Sequence, residues 1–377
     1  MRVKPPLPTG NQRIIRMRKY IAAMTFAAAL LCSAACDRYE RDMEAPVREG
    51  ELSVSIDLSA EPGTRVTPYT TVESGEDRLG ALYLMVFDAG TDKLEAYRHF
   101  SSASAMAGEK ITLLPGKKLV RVGANCEYAN AQNVTTDSEF TSYKFSLLND
   151  ATNWFQMAGM AYCTVTAGGQ ASCSVSLERI VARVSLTYIK NATSSSVTIH
   201  RAFLSNVANR YTLSSGDVTL PSDYYNIQGR SDRTQGHIID GSSYTAAASD
   251  LTYKSIGLTL ASGAESSTRY RFYCYQNEAT TAPAGFTSTY SGEYTTLVVV
   301  ATVDGTLCYY PVVLDPSVMG MTYSVERNKA YTVGLTISGP GSPDPNDPDS
   351  RIETTQSASF TISVADWKNG ASYTEEI

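Results

Sequence analysis

Residues 51–65 read ELSVSIDLSAEPGTR and combine a strand pattern with a turn. Apolar side chains at every second position give the segment one apolar and one polar face, which is typical of a half-buried β-strand. The apolar face consists of Leu52, Val54, Ile56 and Leu58. Because Pro62, Gly63 and Arg65 follow at once, the strand is joined to the rest of the chain by an exposed turn that carries a basic residue.

The rest of the chain has the same β character. Short apolar runs alternate with Gly, Asn, Asp and Pro, and the 24 tyrosines outnumber the 10 phenylalanines. Residues 79–94 predict a buried strand, a turn and a return strand, and residues 294–314 predict a hairpin about Asp304 and Gly305. A length of 377 residues favours two domains, with one domain plus tails as the alternative. We therefore expect an all-β protein with two tandem β-sandwich domains.

The N-terminus has the features of an export signal. Four basic residues between Arg13 and Lys19 precede an apolar stretch, 21–31, that is too short to span a bilayer of roughly 30 Å. The sequence LLCSAAC, residues 30–36, resembles the lipobox of bacterial lipoproteins, although Ser33 replaces the usual leucine. Residues 1–35 are thus a predicted signal peptide and Cys36 a predicted lipidation site. An ordinary signal peptide is the alternative.

Charge excludes nucleic acid as a partner. Residues 1–35 carry six basic and no acidic residues, so the remainder has 26 basic against 38 acidic residues, a formal charge of −12. Phosphate binding needs a basic surface, which this chain lacks.

Five cysteines remain beyond Cys32 and Cys36, an odd number that leaves their pairing open. In CTVTAGGQASC, a turn at Gly168 and Gly169 would bring Cys163 opposite Cys173 across a hairpin. Buried free thiols are the equal alternative.

The chain divides where polar, small residues interrupt the strand patterns. Residues 191–196 form such a stretch after LERIVARVSL, in which Arg179 and Arg183 are expected to extend from an edge strand to solvent. The predicted organisation is a lipidated linker at 36–50, an N-terminal sandwich at 51–185 and a C-terminal sandwich at 186–377.

No pattern predicts catalysis, a metal site or a cofactor. His99, His200 and His237 lie in different predicted strands or loops, without a nucleophile motif or a paired-carboxylate spacing. Residues 342–350, SPDPNDPDS, are rich in oxygen ligands, but three prolines and the missing glycine and glutamate favour a solvated linker over a calcium loop.

Several segments together resemble one family. Residues 325–345, VERNKAYTVGLTISGPGSPDP, and 360–370, FTISVADWKNG, resemble the C-terminal region of the Bacteroidia fimbrilins of the FimA and Mfa type. Residues 177–186 are similar to the segment that joins the two domains of those proteins. Residues 52–65 are similar to their first strand and the arginine-containing loop after it.

The resemblance implies a fold and a function. Fimbrilins are pilus subunits with two transthyretin-like β-sandwich domains, exported as outer-membrane lipoproteins. An arginine-specific protease removes their first strand, and a C-terminal segment of the next subunit fills the groove. For this chain the resemblance implies a structural fimbrial subunit that supports adhesion, with other fimbrial subunits, the protease, the outer membrane and a host glycan or protein as partners.

The residues of this chain suggest where these steps occur. Cleavage is expected between Arg65 and Val66, with Arg41, Arg48 and Arg78 as competitors. The removable strand would contribute Leu52, Val54, Ile56 and Leu58. The donor would be the tail 371–377 with Tyr373 and Ile377 inward, or else residues 360–367.

Three other roles compete with a stalk subunit. An anchor subunit would keep its first strand, and a tip subunit would lack a donor tail. A surface carbohydrate-binding lipoprotein would stack sugars on Trp154, Trp367 or clustered tyrosines, although aromatic residues in strands are more often part of a core.

Overall fold

Strands make up nearly all of the regular structure, as the alternating patterns predict. The computed structural model describes residues 48–57, 75–126, 133–143, 145–146, 155–205, 207–208, 210–212, 224–225, 249–277, 294–314, 319–320, 324–343 and 357–367. Residues Gly50–Ile377 form one compact unit, and only Arg48 and Glu49 are described from the preceding unit, Met1–Glu49. The described strands form four larger sheets and two small ones. The all-β prediction is confirmed.

The first strand lies in the middle of a three-stranded sheet, here called the β1 sheet, with the order β4-β1-β8. β1 runs antiparallel to β4 and parallel to β8. The bounds are β1 Gly50–Asp57, β4 Lys110–Leu113 and β8 Gln170–Ser176.

A five-stranded sheet, the β5 sheet, has the order β3-β2-β5-β7-β9 and is antiparallel throughout. Its strands are β2 Leu82–Asp88, β3 Leu94–Phe100, β5 Gly116–Ala124, β7 Met157–Val165 and β9 Glu178–Arg179.

The β1 and β5 sheets share one apolar core, to which β1 contributes Leu52 and Val54 and β2 contributes Leu84 and Val86. The other face of β2 is also covered, because Met85 and Phe87 pack in a second cluster with residues that include Phe140. Burial on both faces explains the nearly continuous apolar run of this strand.

The remaining large sheets share the largest core. In the β10 sheet, β10 lies between β20, which runs parallel to it, and the strands β16 and β17, and β21 forms the outer edge beyond β20. The β11 sheet has the order β15-β11-β18-β19. The bounds are β10 Val181–Asn191, β11 Val197–Ser205, β15 Tyr253–Leu260, β16 Glu265–Ser266, β17 Tyr270–Tyr275, β18 Thr296–Val303, β19 Thr306–Val313, β20 Lys329–Ile337 and β21 Ala358–Asp366.

Short elements connect the sheets. Two two-stranded sheets pair β12 with β14 and β6 with β13. The bounds are β6 Phe145–Ser146, β12 Val207–Ala208, β13 Arg210–Tyr211, β14 Tyr224–Tyr225, α1 Ala103–Met106, α2 Asp137–Thr141 and α3 Ser249–Thr252. No helix in the described part of the chain is long and apolar enough to cross a bilayer.

Two local predictions can be compared with these elements. The hairpin about Asp304 and Gly305 is confirmed, because β18 and β19 pair in full and both turn residues have positive φ angles of 50° and 79°. The proposed boundary between residues 185 and 186 lies inside β10. The division into two domains stays a prediction.

Candidate functional site

The strand that is predicted to be removed, β1, is a buried element of the core shared by the β1 and β5 sheets. Leu52 is fully buried and Val54 is 7% exposed, whereas Ile56 is partly exposed and packs against the same core. Ser55, on the other face, is exposed. The predicted strand and its apolar face are confirmed for these residues, and Leu58 lies outside the described residues.

Both neighbours of β1 depend on it for strand pairing. β1 forms four residue pairs with β4, from Gly50↔Leu113 to Ser53↔Lys110, and seven with β8, from Glu51↔Gln170 to Asp57↔Ser176. Among the described strands, neither β4 nor β8 has another ladder partner. Loss of β1 would therefore open a groove with an apolar floor and unpaired backbone groups on both walls.

The start of β1 fits closely against the turn between β7 and β8. A side chain at Gly50 would place its Cβ 2.4 Å from the Thr166 carbonyl oxygen, so the backbone contact requires glycine. Glu51 N donates to the Gly169 carbonyl oxygen at 2.9 Å. The Glu51 carboxylate accepts a 2.9 Å hydrogen bond from Lys110 Nζ, which lowers the pKa of Glu51.

After β1, the described part of the chain resumes at Gly75 and includes a buried carboxylate, Glu76. It accepts hydrogen bonds from Arg183 Nη1 at 2.7 Å, from the Tyr273 hydroxyl at 2.7 Å and from Trp367 Nε1 at 3.2 Å. The Glu76 backbone oxygen accepts a further bond from Arg179 Nε at 2.9 Å. Glu76, Arg179, Arg183, Tyr273 and Trp367 are here called the Glu76 cluster.

Arg179 and Arg183 do not extend to solvent, so that prediction is wrong. Both are at most 2% exposed, and their guanidinium groups lie 4.5 and 5.0 Å from the Trp367 ring. For Arg183 the prediction failed because β10 is central in its sheet rather than an edge. Arg179 does lie in an edge strand, β9, but Glu76 and Trp367 cover its side chain. A buried arginine requires a counter-charge.

Burial dominates the electrostatics of the cluster. Desolvation lowers the pKa of Arg179 to about 10, opposed by the negative charges of Glu76 and Asp77. Burial also raises the pKa of Tyr273, and the Glu76 carboxylate adds to that shift, so the phenol stays protonated and donates. The sequence signal for this cluster was two arginines inside an apolar run, which implies a buried acid without identifying it.

The C-terminal strand belongs to the largest core, which the β10 and β11 sheets share. β21 pairs with β20 over nine residues, from Ala358↔Ile337 to Asp366↔Lys329, and Trp367 is fully buried after it. Phe360, Ile362 and Val364 pack against this core. Because Trp367 is buried, it has no face on which a sugar could stack.

The other predicted residues are dispersed or not described. Cys36, Arg65, Val66, Tyr373 and Ile377 lie outside the described residues, as do His237 and Trp154. His99 and His200 lie in β3 and β11, and the described residues contain no group of three metal-ligating side chains. The predicted turn does bring Cys163 and Cys173 together, but their strands lie in different sheets and form no hairpin ladder.

Comparison with known proteins identifies the fold. No protein-family model and no curated protein matches the chain. A solved candidate cell adhesion protein from Parabacteroides distasonis matches with a TM-score of 0.62 and 16% identity over 87% of this chain and 100% of its own. One from Bacteroides eggerthii matches with 0.59 and 19% over 86% and 98%. A fimbrilin from Porphyromonas gingivalis matches with 0.54 and 14% over 86% and 99%.

Proposed function

We propose that this chain, whose fold is that of the Bacteroidales fimbrilins and candidate cell adhesion proteins, is a structural subunit of a cell-surface fimbria that supports adhesion. The observation that carries the proposal is the position of β1 between β4 and β8, which have no other ladder partner among the described strands. A strand in that position can be replaced by a strand of another subunit. Such strand addition supplies main-chain hydrogen bonds for affinity and side-chain slots for specificity.

Export as a lipoprotein would deliver the precursor to the outer membrane. The predicted signal peptide, residues 1–35, ends directly before Cys36. A lipid on Cys36 would hold β1 near the membrane, since only residues 37–49 separate the two. The partners are then other fimbrial subunits and the membrane rather than a substrate or cofactor.

Cleavage after Arg65 would release the subunit from this anchor. Between the end of β1 at Asp57 and the start of β2 at Leu82, the basic residues are Arg65 and Arg78. A cut after Arg41 or Arg48 would leave β1 attached, and a cut after Arg78 would separate Glu76 from the body. Arg65 is the position at which an arginine-specific protease would remove β1 and retain the Glu76 cluster.

The donor strand is then residues 371–377, with Tyr373 and Ile377 facing the neighbour's core. The alternative, 360–367, is disfavoured by its full pairing with β20 and by the burial of Trp367. Each apolar side chain that enters the vacated groove would contribute about 1.5–3 kcal/mol.

The test uses the purified full chain and an arginine-specific protease. We expect a new N-terminus at Val66 and a ladder of oligomers on unboiled gels, because exchanged strands separate slowly. Arg65→Gln should abolish both, whereas Arg78→Gln is the matched control and should change neither. An N-terminus at Asp37 in the mature polymer would contradict the stalk role and favour an anchor subunit.

A further inference from the structure

Two thiols, those of Cys163 and Cys173, lie near β1, the strand that is proposed to be removed. Cys163 lies in β7 and is half-buried, Cys173 lies in β8 and is 5% exposed, and both are reduced in this structure. The two thiols interact, since each is the largest influence on the pKa of the other, lowering that of Cys163 and raising that of Cys173. Since β7 belongs to the β5 sheet and β8 to the β1 sheet, the contact spans the two layers of the sandwich.

The backbone holds the two strands close at both ends of the contact. At one end a turn joins them, in which Gly169 N donates to the Thr166 carbonyl oxygen at 3.0 Å. At the other end a Cβ on Gly159 would lie 2.0 Å from the Ser176 carbonyl oxygen, so the backbones touch there. Cys163 and Cys173 lie between these two fixed points, on backbones that are held close to each other, as a disulfide requires.

We propose that Cys163 and Cys173 form a disulfide that joins the β5 sheet to the β1 sheet. The oxidant is a disulfide, supplied by a thiol oxidase or by oxidised glutathione. The Cys163 thiolate attacks one sulfur of the oxidant, whose S–S bond breaks and whose other sulfur leaves as a thiolate. The Cys173 thiol then loses its proton, attacks the Cys163 sulfur and releases the second oxidant thiolate. Two electrons pass to the oxidant.

The environment favours Cys163 as the attacking sulfur. It is the more exposed of the pair, and a hydrogen bond from the Cys173 thiol lowers its pKa, with a smaller contribution from the Lys118 ammonium. The pKa of Cys173 is raised, first by the hydrogen bond to Cys163 and then by burial. The two cysteines therefore take the roles of attacking and resolving thiol.

The other described cysteines lie in different surroundings. Cys126 Sγ donates to the Ala124 carbonyl oxygen at 3.3 Å, and Cys308 Sγ donates to that of Thr306 at 3.4 Å. Cys274 is fully buried in the β10 sheet, and burial raises its pKa to about 12. These three are expected to stay reduced in the folded protein.

Formation of the disulfide does not depend on the proposed function. Its consequence for the groove does rest on that function. When β1 leaves, β8 loses its seven ladder pairs, and Cys173 is the residue paired with Val54. A bond to Cys163 would keep β8 against the β5 sheet, so the groove would retain its wall until a donor strand arrives. The chain-entropy gain from such a short loop is smaller than that from a long-range disulfide.

The first test is mass spectrometry of the purified full chain after incubation with oxidised glutathione. The tryptic peptide 145–179 contains Cys163 and Cys173 and no other cysteine. We expect it to be two hydrogens lighter and not alkylated by iodoacetamide in denaturant, whereas peptides with Cys126, Cys274 and Cys308 are alkylated. Alkylation of both thiols in this peptide would overturn the proposal.

The second test separates the disulfide from its consequence. After cleavage at Arg65, we expect hydrogen exchange of the β8 amides to be at least tenfold slower in the oxidised protein than in the protein reduced with dithiothreitol. Equal exchange rates would overturn the groove role. The double variant Cys163→Ser, Cys173→Ser should show no redox effect, and Cys308→Ser should behave as the parent. If the disulfide forms but the chain never polymerises, the proposed function is refuted and the disulfide proposal stands.

Discussion

Glu76 places one negative charge beside two buried guanidinium groups. The Arg183–Glu76 pair is 2.7 Å long with both side chains 2% exposed, and Arg179 bonds the Glu76 backbone. Breaking a buried pair by removing one charge leaves the other charge desolvated and uncompensated, which is far more costly than losing an exposed pair. The cluster also holds the chain that would become the new N-terminal region after cleavage at Arg65.

Replacing Glu76 with Gln should therefore destabilise the full chain by about 3–5 kcal/mol. The measurement is the free energy of unfolding in urea at pH 7. Glu109→Gln is the matched control, because the Arg98–Glu109 pair is 3.7 Å long with side chains 45% and 42% exposed, and its loss should cost less than about 1 kcal/mol. Equal losses from the two variants would show that Glu76 does not hold the cluster together.

At the scale of elements, β1 and β21 have opposite properties. β1 is central, and its pairing is the only ladder pairing of β4 and β8 within the described strands. β21 is an edge strand that completes a nine-residue ladder and leads directly into a buried tryptophan. Under the proposed function the first would be exchanged for an equivalent strand, whereas loss of the second would expose the largest core.

Deletion of residues 371–377 should leave a monomer that folds and is cut but does not polymerise, because the described part of the largest core, up to Trp367, is kept in the truncated chain. The measurement is the oligomer ladder on unboiled gels after protease treatment. Within the tail, Tyr373→Asp should abolish the ladder and Thr374→Asp should not, since neighbouring positions face opposite sides of a strand. Intact ladders from the truncated chain would transfer the donor role to residues 360–367, and a chain that fails to fold would assign the tail to the largest core.

At the scale of the whole molecule, the proposed function requires that lipid attachment, cleavage and opening of the groove occur in a fixed order. A lipid on Cys36 would bring the precursor to the membrane with β1 in place, so that no open groove is exposed during export. Cleavage after Arg65 would then couple release from the lipid with opening of the groove. The same cut would make the exchange irreversible, since β1 leaves with the anchor.

Cys36→Ser should consequently yield precursor that does not partition into detergent and cells with few surface fibres. The measurement is phase partition with Triton X-114 together with counting of fibres by electron microscopy. Cys32→Ser is the matched control, because Cys32 lies within the predicted signal peptide and should be dispensable. Unchanged detergent partition of the Cys36 variant would exclude lipidation at that residue.

Local pattern was sufficient to predict the strands. The alternation in residues 52–56 and the continuous run in 82–87 report how many faces of a strand are buried, since side chains point to opposite faces in turn. The turn at Asp304 and Gly305 was equally predictable, because two residues with positive φ favour this pair of types. Short-range geometry governs all three features.

What the amino-acid sequence could not show is which strands become neighbours. The position of β1 between β4 and β8 depends on pairs separated by about 60 and about 120 residues, and no local pattern encodes such a separation. The same reason explains the errors at Arg183 and at the Cys163–Cys173 turn. An arginine in an edge strand and one in a central strand have the same local sequence, and a turn can join strands of one sheet or of two. Only the tertiary structure brings Glu76 to those arginines, because the charge that a buried guanidinium requires comes from more than 100 residues away.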